Sequence, residues 1–221
     1  MSAPRRTPLI AGNWKLHNTV KESTRLAGEV RDGVGTVRDV EVAIAPVFTA
    51  LDAVGRKLEG STVALAAQDC FWQDRGAWTG EVSAALLADV GCRYCIVGHS
   101  ERREHFGELD LAVSLKARAA LRHGVRPILC VGESLNELEA GETFGRIGAQ
   151  LEGSLQGILE DQIRDTVIAY EPVWAIGTGK VATTAQAQEV HAFIRGRLRD
   201  KFGELAGEVR ILYGGSVKPD N

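Results

Sequence analysis

Short apolar segments alternate with longer amphipathic segments along the whole chain, and this alternation restricts the fold more than any other feature of the sequence. Seven apolar segments are too short for helices, and turn or polar residues bound each of them. They cover residues 9–11, 40–45, 63–67, 94–97, 127–131, 167–170 and 209–213. Strands that are apolar along their whole length and separated by helices indicate a parallel sheet covered by helices. The sequence therefore predicts an α/β protein.

The intervening segments show helical periodicity and marked helix starts. An apolar stripe at helical spacing predicts one helix with a buried face, and it comprises Leu109, Ala112, Val113, Ala117 and Ala120. Capping boxes, in which an N-cap hydroxyl and a side chain three residues later satisfy free backbone amides, predict three further helix starts. The pairs are Thr19 with Glu22, Ser134 with Glu137, and Thr183 with Gln186.

The chain of 221 residues has no internal linker rich in Pro, Gly or Ser and no low-complexity segment. We therefore expect one domain over residues 1–221. The alternation of strands and helices fits both a doubly wound sheet and a (β/α) barrel. A complete eightfold barrel has about 250 residues, so a barrel with about seven βα units would lack its C-terminal unit.

Charge and hydropathy exclude several classes of partner. The formal net charge of −3 gives no electrostatic reason to expect nucleic acid or an anionic membrane as a partner. No apolar segment is long enough to span a bilayer, and no apolar segment typical of a signal peptide follows the basic N-terminus. We therefore expect a cytoplasmic protein.

Four cysteines, Cys70, Cys92, Cys95 and Cys130, lie among apolar residues, which favours free thiols in a reducing compartment. Cys92 and Cys95 form a CxxC pair that could indicate redox chemistry. They fall on a predicted strand rather than at a helix start, so buried structural thiols are the favoured interpretation. No further ligands at suitable spacing accompany them for a metal ion.

Polar residues collect where the predicted strands end. They are Asn13 and Lys15, Gln68 and Asp69, His99 to Glu101, Cys130 and Glu133, Glu171, and Gly214 to Ser216. In parallel α/β folds the active site forms at this edge, because the loops after the strands converge there. Solvated loop residues would explain any one position, but they explain the coincidence at six strand ends poorly.

Five stretches spread along the chain make it resemble the triosephosphate isomerase family. They are NWK (13–15), GAWTGE (76–81), VGHSERR (97–103), YEPVWAIGTGK (170–180) and YGGSV (213–217). The resemblance implies a (β/α)8 TIM barrel and a small phosphorylated triose as substrate. It also implies interconversion of dihydroxyacetone phosphate and D-glyceraldehyde 3-phosphate without a cofactor or metal, in glycolysis and gluconeogenesis.

The resemblance assigns the catalytic roles to five residues. Glu171 matches the base that moves a carbon-bound proton, and Pro172 after it disfavours helix, so Glu171 ends a strand. His99 matches the electrophile, and the helix expected after it disfavours a charged imidazolium. Lys15 matches a cation for the phosphate and the developing negative charge, with Glu101 as its ion-pair partner and Asn13 orienting it.

A lid and a phosphate site are implied in the same way. Pro172, Val173 and Trp174 lead into Gly177, Thr178, Gly179 and Lys180, whose glycines let backbone amides approach an anion and whose closure would exclude water. A nucleotide P-loop is the competing interpretation, but Val181 stands where that motif needs Ser or Thr. Gly177, Gly214, Gly215 and Ser216 are the predicted phosphate-binding residues.

The segment from Asp69 to Ser83, here called the aromatic loop, carries Phe71, Trp72 and Trp78 in otherwise polar surroundings. Exposed aromatic residues of this kind are typical of an interface. By resemblance Trp72, Trp78 and Thr79 belong to the contact of a homodimer, with Thr79 approaching the partner subunit's Lys15 and the partner subunit's His99.

The family's pattern continues beyond the last residue of this sequence with an eighth strand, a second glycine pair for the phosphate and a final helix. Three hypotheses follow. The chain is an active triosephosphate isomerase, or it is a catalytically inactive truncated barrel that retains weak phosphate binding. The third hypothesis is an isomerase of the same fold that acts on another sugar phosphate.

Overall fold

The computed structural model describes residues 6–176 and 181–217, which form two compact units. The first unit comprises residues 6–97 and Lys116–Pro127. The second comprises Gly98–Leu115 and the described residues from Ile128 onward. The division falls within helix α5 (Asp110–Arg122) and strand β5 (Arg126–Val131). The single domain expected from the sequence stays a prediction.

The first unit contains four parallel strands, each bonded to the next in chain order. They are β1 (Leu9–Asn13), β2 (Glu41–Ala45), β3 (Val63–Ala67) and β4 (Cys92–Val97). The helices of this part of the chain are α1 (Val20–Val34), α2 (Leu51–Leu58) and α3 (Ala84–Asp89). All five residues of β3 are buried, which explains why the sequence reads there as a continuous apolar run.

The second unit contains the C-terminal strands, which are also parallel and bonded in chain order. They are Ile128–Val131 of β5, then β6 (Val167–Tyr170) and β7 (Arg210–Tyr213). The helices are α4 (Ser100–Phe106), α6 (Leu135–Glu139), α7 (Thr143–Ser154) and α8 (Thr184–Phe202). Tyr170 pairs with Val131 on one side and Tyr213 on the other, so the three strands end at the same level.

Within each unit the strand order never reverses, whereas a doubly wound sheet needs a reversal at its switch point. The order in each unit is therefore that of a singly wound βα fold. All seven strands predicted from the apolar segments are present, with ends that differ by at most two residues.

The capping boxes are confirmed at the starts of α1, α6 and α8, where each N-cap hydroxyl and its partner side chain bond the backbone reciprocally. The stripe on α5 is confirmed for Val113, Ala117 and Ala120, which are fully buried. The prediction that Leu109 belongs to this buried stripe is wrong, because Leu109 precedes the helix and is 72% exposed.

All four cysteines are free and buried, as the sequence predicts for structural thiols. Burial raises the pKa of Cys92 to about 12, so its reactive thiolate form is suppressed. No helix among the described residues combines the length and the apolar character needed to cross a membrane.

Candidate active site

Glu171 and His99 form a buried pair in the second unit. Glu171 directly follows β6, and its backbone N–H still bonds the Val131 carbonyl at 2.8 Å, so its side chain leaves from the end of the sheet. Oε1 of Glu171 lies 2.9 Å from Nε2 of His99. The backbone N–H of Ser100 donates to Oε2 at 2.9 Å. Both side chains are almost fully buried, so the atoms packed around them restrict their mutual orientation.

The position of His99 at the start of α4 determines which ring nitrogen carries the proton. His99 is the N-cap residue, and the backbone N–H of Glu101 donates to its Nδ1 at 3.2 Å. Because Nδ1 accepts, the proton of the neutral ring is on Nε2, which is the nitrogen that faces Glu171. The helix start thus supplies the donor that Nδ1 accepts from, and the role of His99 as a neutral donor stays a prediction.

Glu101 lies beside the same ring, with Oε2 at 3.6 Å from Nδ1 of His99. Its pairing with Lys15, expected from the sequence, stays a prediction.

Two glycines, Gly132 and Gly214, make room for Glu171, and nothing in the sequence indicated this role for Gly132. A Cβ at Gly132 would collide with the Glu171 carbonyl oxygen, and a Cβ at Gly214 would lie 3.1 Å from Glu171 Cγ. The only sequence signal for Gly132 is its place directly after a strand, which many glycines share. The need for glycine arises from the neighbouring strand end, and the sequence does not show it.

Cys130 is a further neighbour of Glu171 whose role the sequence did not indicate. Burial raises the pKa of its thiol well above the usual value, and the carboxylate of Glu171 raises it further. The thiol therefore stays protonated beside the carboxylate and can donate to it.

Glu133 holds the first residues of the predicted lid. Its Oε1 accepts hydrogen bonds from Trp174 Nε1 at 2.8 Å and from the Tyr170 hydroxyl at 3.0 Å. Its carbonyl accepts from the Val173 N–H at 3.1 Å. Burial raises the pKa of Glu133, while the two side-chain donors oppose that rise. The polar residue at a strand end was the available sequence signal, but nothing in the sequence showed that it contacts Trp174.

The segment after Glu171 is described only in part. Pro172 is extended and Val173–Ala175 form a single 3₁₀ turn, with Trp174 buried. The predicted lid and phosphate residues Gly177, Thr178, Gly179 and Lys180 lie outside the described residues.

The YGGS segment after β7 contacts the same turn. Ser216 Oγ donates to the Ala175 carbonyl at 3.3 Å. The N–H of Gly214 donates to the Tyr170 carbonyl at 2.7 Å, so it extends the sheet. The N–H of Gly214 is thus engaged within the sheet, and the phosphate-binding roles of Gly214, Gly215 and Ser216 stay predictions.

Lys15 and Asn13 lie together in the first unit. Lys15 has a φ of 50°, which is unusual for a residue with a side chain and costs energy. Both of its backbone groups are held, because its N–H donates to Asn13 Oδ1 at 2.9 Å and its carbonyl accepts from Gln68 Nε2 at 2.9 Å. Asn13 therefore holds the backbone of Lys15, while the orientation of the Lys15 side chain toward a substrate stays a prediction.

The aromatic loop is more compact than the sequence suggested. Phe71, grouped with the exposed aromatics, is only 8% exposed, whereas Trp78 is 49% exposed. The Phe71 ring packs against Trp72 and Trp78, with centroids 4.2 and 4.9 Å away. The Phe71 N–H also donates to the Val82 carbonyl at 2.8 Å, so the two ends of the loop meet. Thr79 is exposed.

Two acidic side chains fasten this loop to α5 and to the residue directly after it. Asp69 accepts from Lys116 Nζ at 2.7 Å, and both side chains are buried. Nearer the tip, Asp74 lies 2.8 Å from His123 Nε2, and this contact holds the pKa of Asp74 below its usual value. Among the described residues, no cluster of three or more His, Cys, Asp or Glu side chains could hold a metal ion.

A buried glutamate in contact with a histidine whose other ring nitrogen accepts a backbone hydrogen bond, on a singly wound parallel βα framework, fits an enzyme that transfers protons by general acid and base. The sequence model of the triosephosphate isomerase family matches residues 8–221. The chain belongs to the triosephosphate isomerase family.

Relatives agree over nearly the whole chain. The triosephosphate isomerase of Moorella thermoacetica is 55% identical over 216 residues, covering 98% of this chain and 86% of the relative. That of Pelobacter propionicus is 55% identical over 217 residues with the same coverage. The crystal structure of triosephosphate isomerase from Bartonella henselae matches with a TM-score of 0.88 at 39% identity, covering 97% of this chain and 85% of that one. The fold class is therefore the TIM barrel, and the described residues contain seven of its strands.

Proposed function

We propose that this chain interconverts dihydroxyacetone phosphate and D-glyceraldehyde 3-phosphate. The observation that carries the proposal is the contact between His99 Nε2 and Glu171 Oε1 at 2.9 Å, with Nδ1 of the same ring accepting a backbone hydrogen bond. Family membership over nearly the whole chain supports an active isomerase over an inactive fragment.

The reaction moves a proton between two adjacent carbons. The carboxylate of Glu171 removes a proton from the carbon beside the carbonyl, and the carbonyl oxygen gains negative charge as an enediolate forms. The Nε2–H of His99 donates a hydrogen bond to that oxygen and stabilises the charge. Glu171 then returns the proton to the neighbouring carbon. The proton of the neighbouring hydroxyl group moves to the former carbonyl oxygen, with Nε2 of His99 giving one proton and taking up the other. One base and one donor therefore serve both directions.

The surroundings of Glu171 suit this role. The Ser100 amide holds Oε2 at 2.9 Å, so the carboxylate keeps one orientation while Oε1 acts on the substrate. Burial excludes water, which strengthens the electrostatic effect of each donor on the developing charge.

Charge stabilisation on the substrate phosphate is assigned to Lys15. The support comes from its backbone, which Asn13 and Gln68 hold in a strained conformation at a strand end. Strain of this kind persists where surrounding contacts over-determine it, often at functional sites. Glu101 would act as the ion-pair partner of Lys15.

Gly177, Gly214, Gly215 and Ser216 complete the proposed phosphate site. Pro172, Val173 and Trp174 form the first part of the proposed lid, which continues through Thr178, Gly179 and Lys180. The hydrogen bonds from Val173 and Trp174 to Glu133 support a fixed hinge at this end of the lid.

The proposal extends to a homodimer through the aromatic loop, with Trp72, Trp78 and Thr79 at the contact. Its support is the half-exposed Trp78 in a loop that two ion pairs hold in shape. With this reaction as its activity, the chain would act in glycolysis and gluconeogenesis in the cytoplasm.

The test is turnover of both triose phosphates by the purified chain and by two variants. Glu171→Gln removes the base and His99→Gln removes the electrophile, and each should lower kcat by about 10²- to 10⁴-fold. Affinity for inorganic phosphate should change little in His99→Gln. Glu139→Gln, at an exposed position on α6, serves as the control and should keep full activity.

Two outcomes would contradict the proposal. A folded wild-type chain that binds phosphate without turnover would support the inactive-fragment hypothesis. Equal losses of turnover and phosphate affinity in His99→Gln would exclude the role of His99 as electrophile.

A further inference from the structure

The guanidinium group of Arg103 joins the turn at Gly98 to α5, β5 and α7. Arg103 lies on α4, and its side chain is only 12% exposed. Nε donates to the Gly98 carbonyl at 2.8 Å, and Nη1 donates to Asp110 Oδ1 at 2.6 Å. Nη2 donates to the Cys130 carbonyl at 3.3 Å and to Ser154 Oγ at 3.4 Å.

Two of these acceptors adjoin the proposed catalytic residues. Gly98 directly precedes His99, so the bond to its carbonyl fixes the peptide that carries the histidine. Cys130 lies on β5, and its thiol neighbours the Glu171 carboxylate. The same guanidinium therefore ties the turn of His99 to the strand beside Glu171.

The turn at Gly98 has little freedom to move in other directions. Gly98 has a φ of 70°, and a Cβ there would lie 2.9 Å from the methyl groups of Val113. Val113 thus closes one side of the turn, and Arg103 holds its carbonyl on the other.

An acidic side chain compensates the charge of Arg103. Asp110 pairs with it, and Ser154 Oγ donates to the same Asp110 oxygen at 3.2 Å. The planar guanidinium reaches all four acceptors because its donors point in several fixed directions, which a lysine ammonium on a flexible chain does not reproduce.

We propose that Arg103 is a positioning residue that keeps His99 in the orientation needed to act with Glu171. It acts through the Gly98 and Cys130 carbonyls and does not touch the substrate. The inference rests on the proposed isomerase function.

The test compares Arg103→Lys with Arg102→Lys. Both shorten an arginine of α4 that pairs with a carboxylate, and Arg102 pairs with Glu108 at 2.8 Å. A misplacement of about 1 Å can cost about 100-fold in rate, so kcat of Arg103→Lys should fall about 10- to 100-fold while KM changes within about twofold. Arg102→Lys should keep kcat within about twofold of wild type at a similar loss of thermal stability.

A binding measurement separates positioning from general loosening. 2-Phosphoglycolate carries a carboxylate where the enediolate oxygens develop, whereas inorganic phosphate probes only the phosphate site. Arg103→Lys should lose affinity for 2-phosphoglycolate in proportion to kcat and keep its affinity for inorganic phosphate.

Wild-type kcat in Arg103→Lys would overturn the inference, and so would equal loss of both affinities or an equal fall in Arg102→Lys. If Arg103→Lys does not fold, Ser154→Ala replaces it in the test. In Ser154→Ala, kcat and the affinity for 2-phosphoglycolate should fall by a smaller factor, and the affinity for inorganic phosphate should stay unchanged. Absence of turnover in the wild type would instead count against the proposed function. The two failures are therefore distinguishable.

Discussion

At the residue scale, the space around Glu171 depends on the backbone of the adjacent strand end. Gly132 follows β5, and its N–H donates to Gln150 Oε1 at 2.8 Å. A side chain at this position would meet the Glu171 carbonyl, which is backbone and cannot turn away. The carboxylate of Glu171 is thus placed as much by a missing side chain as by its hydrogen bonds.

Gly132→Ala should therefore shift the backbone of Glu171. We expect a loss of about 1–3 kcal/mol in the free energy of unfolding, typical of overpacking a dense interior, and a larger fractional loss of kcat. Urea unfolding and steady-state kinetics measure the two effects.

Gly145→Ala is the matched control. Gly145 lies on α7, and a Cβ there would meet no atom within 4 Å. Alanine should leave activity unchanged and stabilise the helix by about 0.5–1 kcal/mol. Similar behaviour of the two variants would contradict the steric account of Gly132.

At the element scale, α8 packs through residues four apart. Val190, Ile194, Leu198 and Phe202 are all buried on one face of this helix. The helix starts at the Thr183 capping box, directly after the proposed lid. A well-capped and well-packed helix at this point holds the residues that follow the proposed lid in one place.

His191 lies on the same helix beside the sheet. Its ring packs edge-on to Tyr170 with centroids 6.2 Å apart. Among the described residues, its buried Nε2 has no hydrogen-bond partner. Burial lowers the pKa of His191 below 6.5, nearby Arg195 lowers it further, and a hydrogen bond to the backbone of Leu212 raises it in part.

The sign of the resulting pH dependence follows from proton binding. The folded pKa is lower than the unfolded one, so between the two values the unfolded chain binds more protons. Stability should therefore fall as pH drops below about 6.5, by at most about 1.4 kcal/mol per pH unit for this one group.

Urea unfolding between pH 7.5 and 5 would measure this slope. In His191→Gln the slope should be shallower than in wild type. His105→Gln, at an exposed position on α4, should keep the wild-type slope. Identical slopes in all three proteins would show that His191 does not titrate as inferred.

At the scale of the whole molecule, the proposed homodimer depends on a loop whose shape is set within one unit. Asp69 binds Lys116 of α5 at the base of the aromatic loop, and Asp74 binds His123, directly after α5, near its tip. Because the loop already has a fixed shape, exposing Trp78 for association costs little additional conformational entropy.

Trimming the aromatic loop between Trp72 and Trp78 should yield monomers with poor activity. Light scattering coupled to gel filtration gives the mass, and kinetics on the same samples gives kcat. Leu159→Ser, which changes a 60% exposed apolar residue outside this loop, should leave the mass unchanged. A trimmed protein that remains dimeric would exclude the loop as the main contact.

Much of the architecture could be predicted from local patterns. The seven strands follow from short apolar runs, and three helix starts follow from capping boxes, because both depend on residues close together in the chain. The signature stretches led to the family and to His99 and Glu171 as candidate site residues. The predicted burial of Leu109 and the predicted exposure of Phe71 were wrong, because the exposure of a side chain depends on what packs beside it.

The sequence by itself thus determined the order of the elements, the family and the candidate catalytic residues. Only the tertiary structure decided that His99 presents Nε2 to Glu171, that residue 132 must be glycine, and that Arg103 ties Gly98 to Cys130. The physical reason is that each of these contacts depends on backbone geometry or on partners 27 or more residues apart, and chain order alone does not specify either.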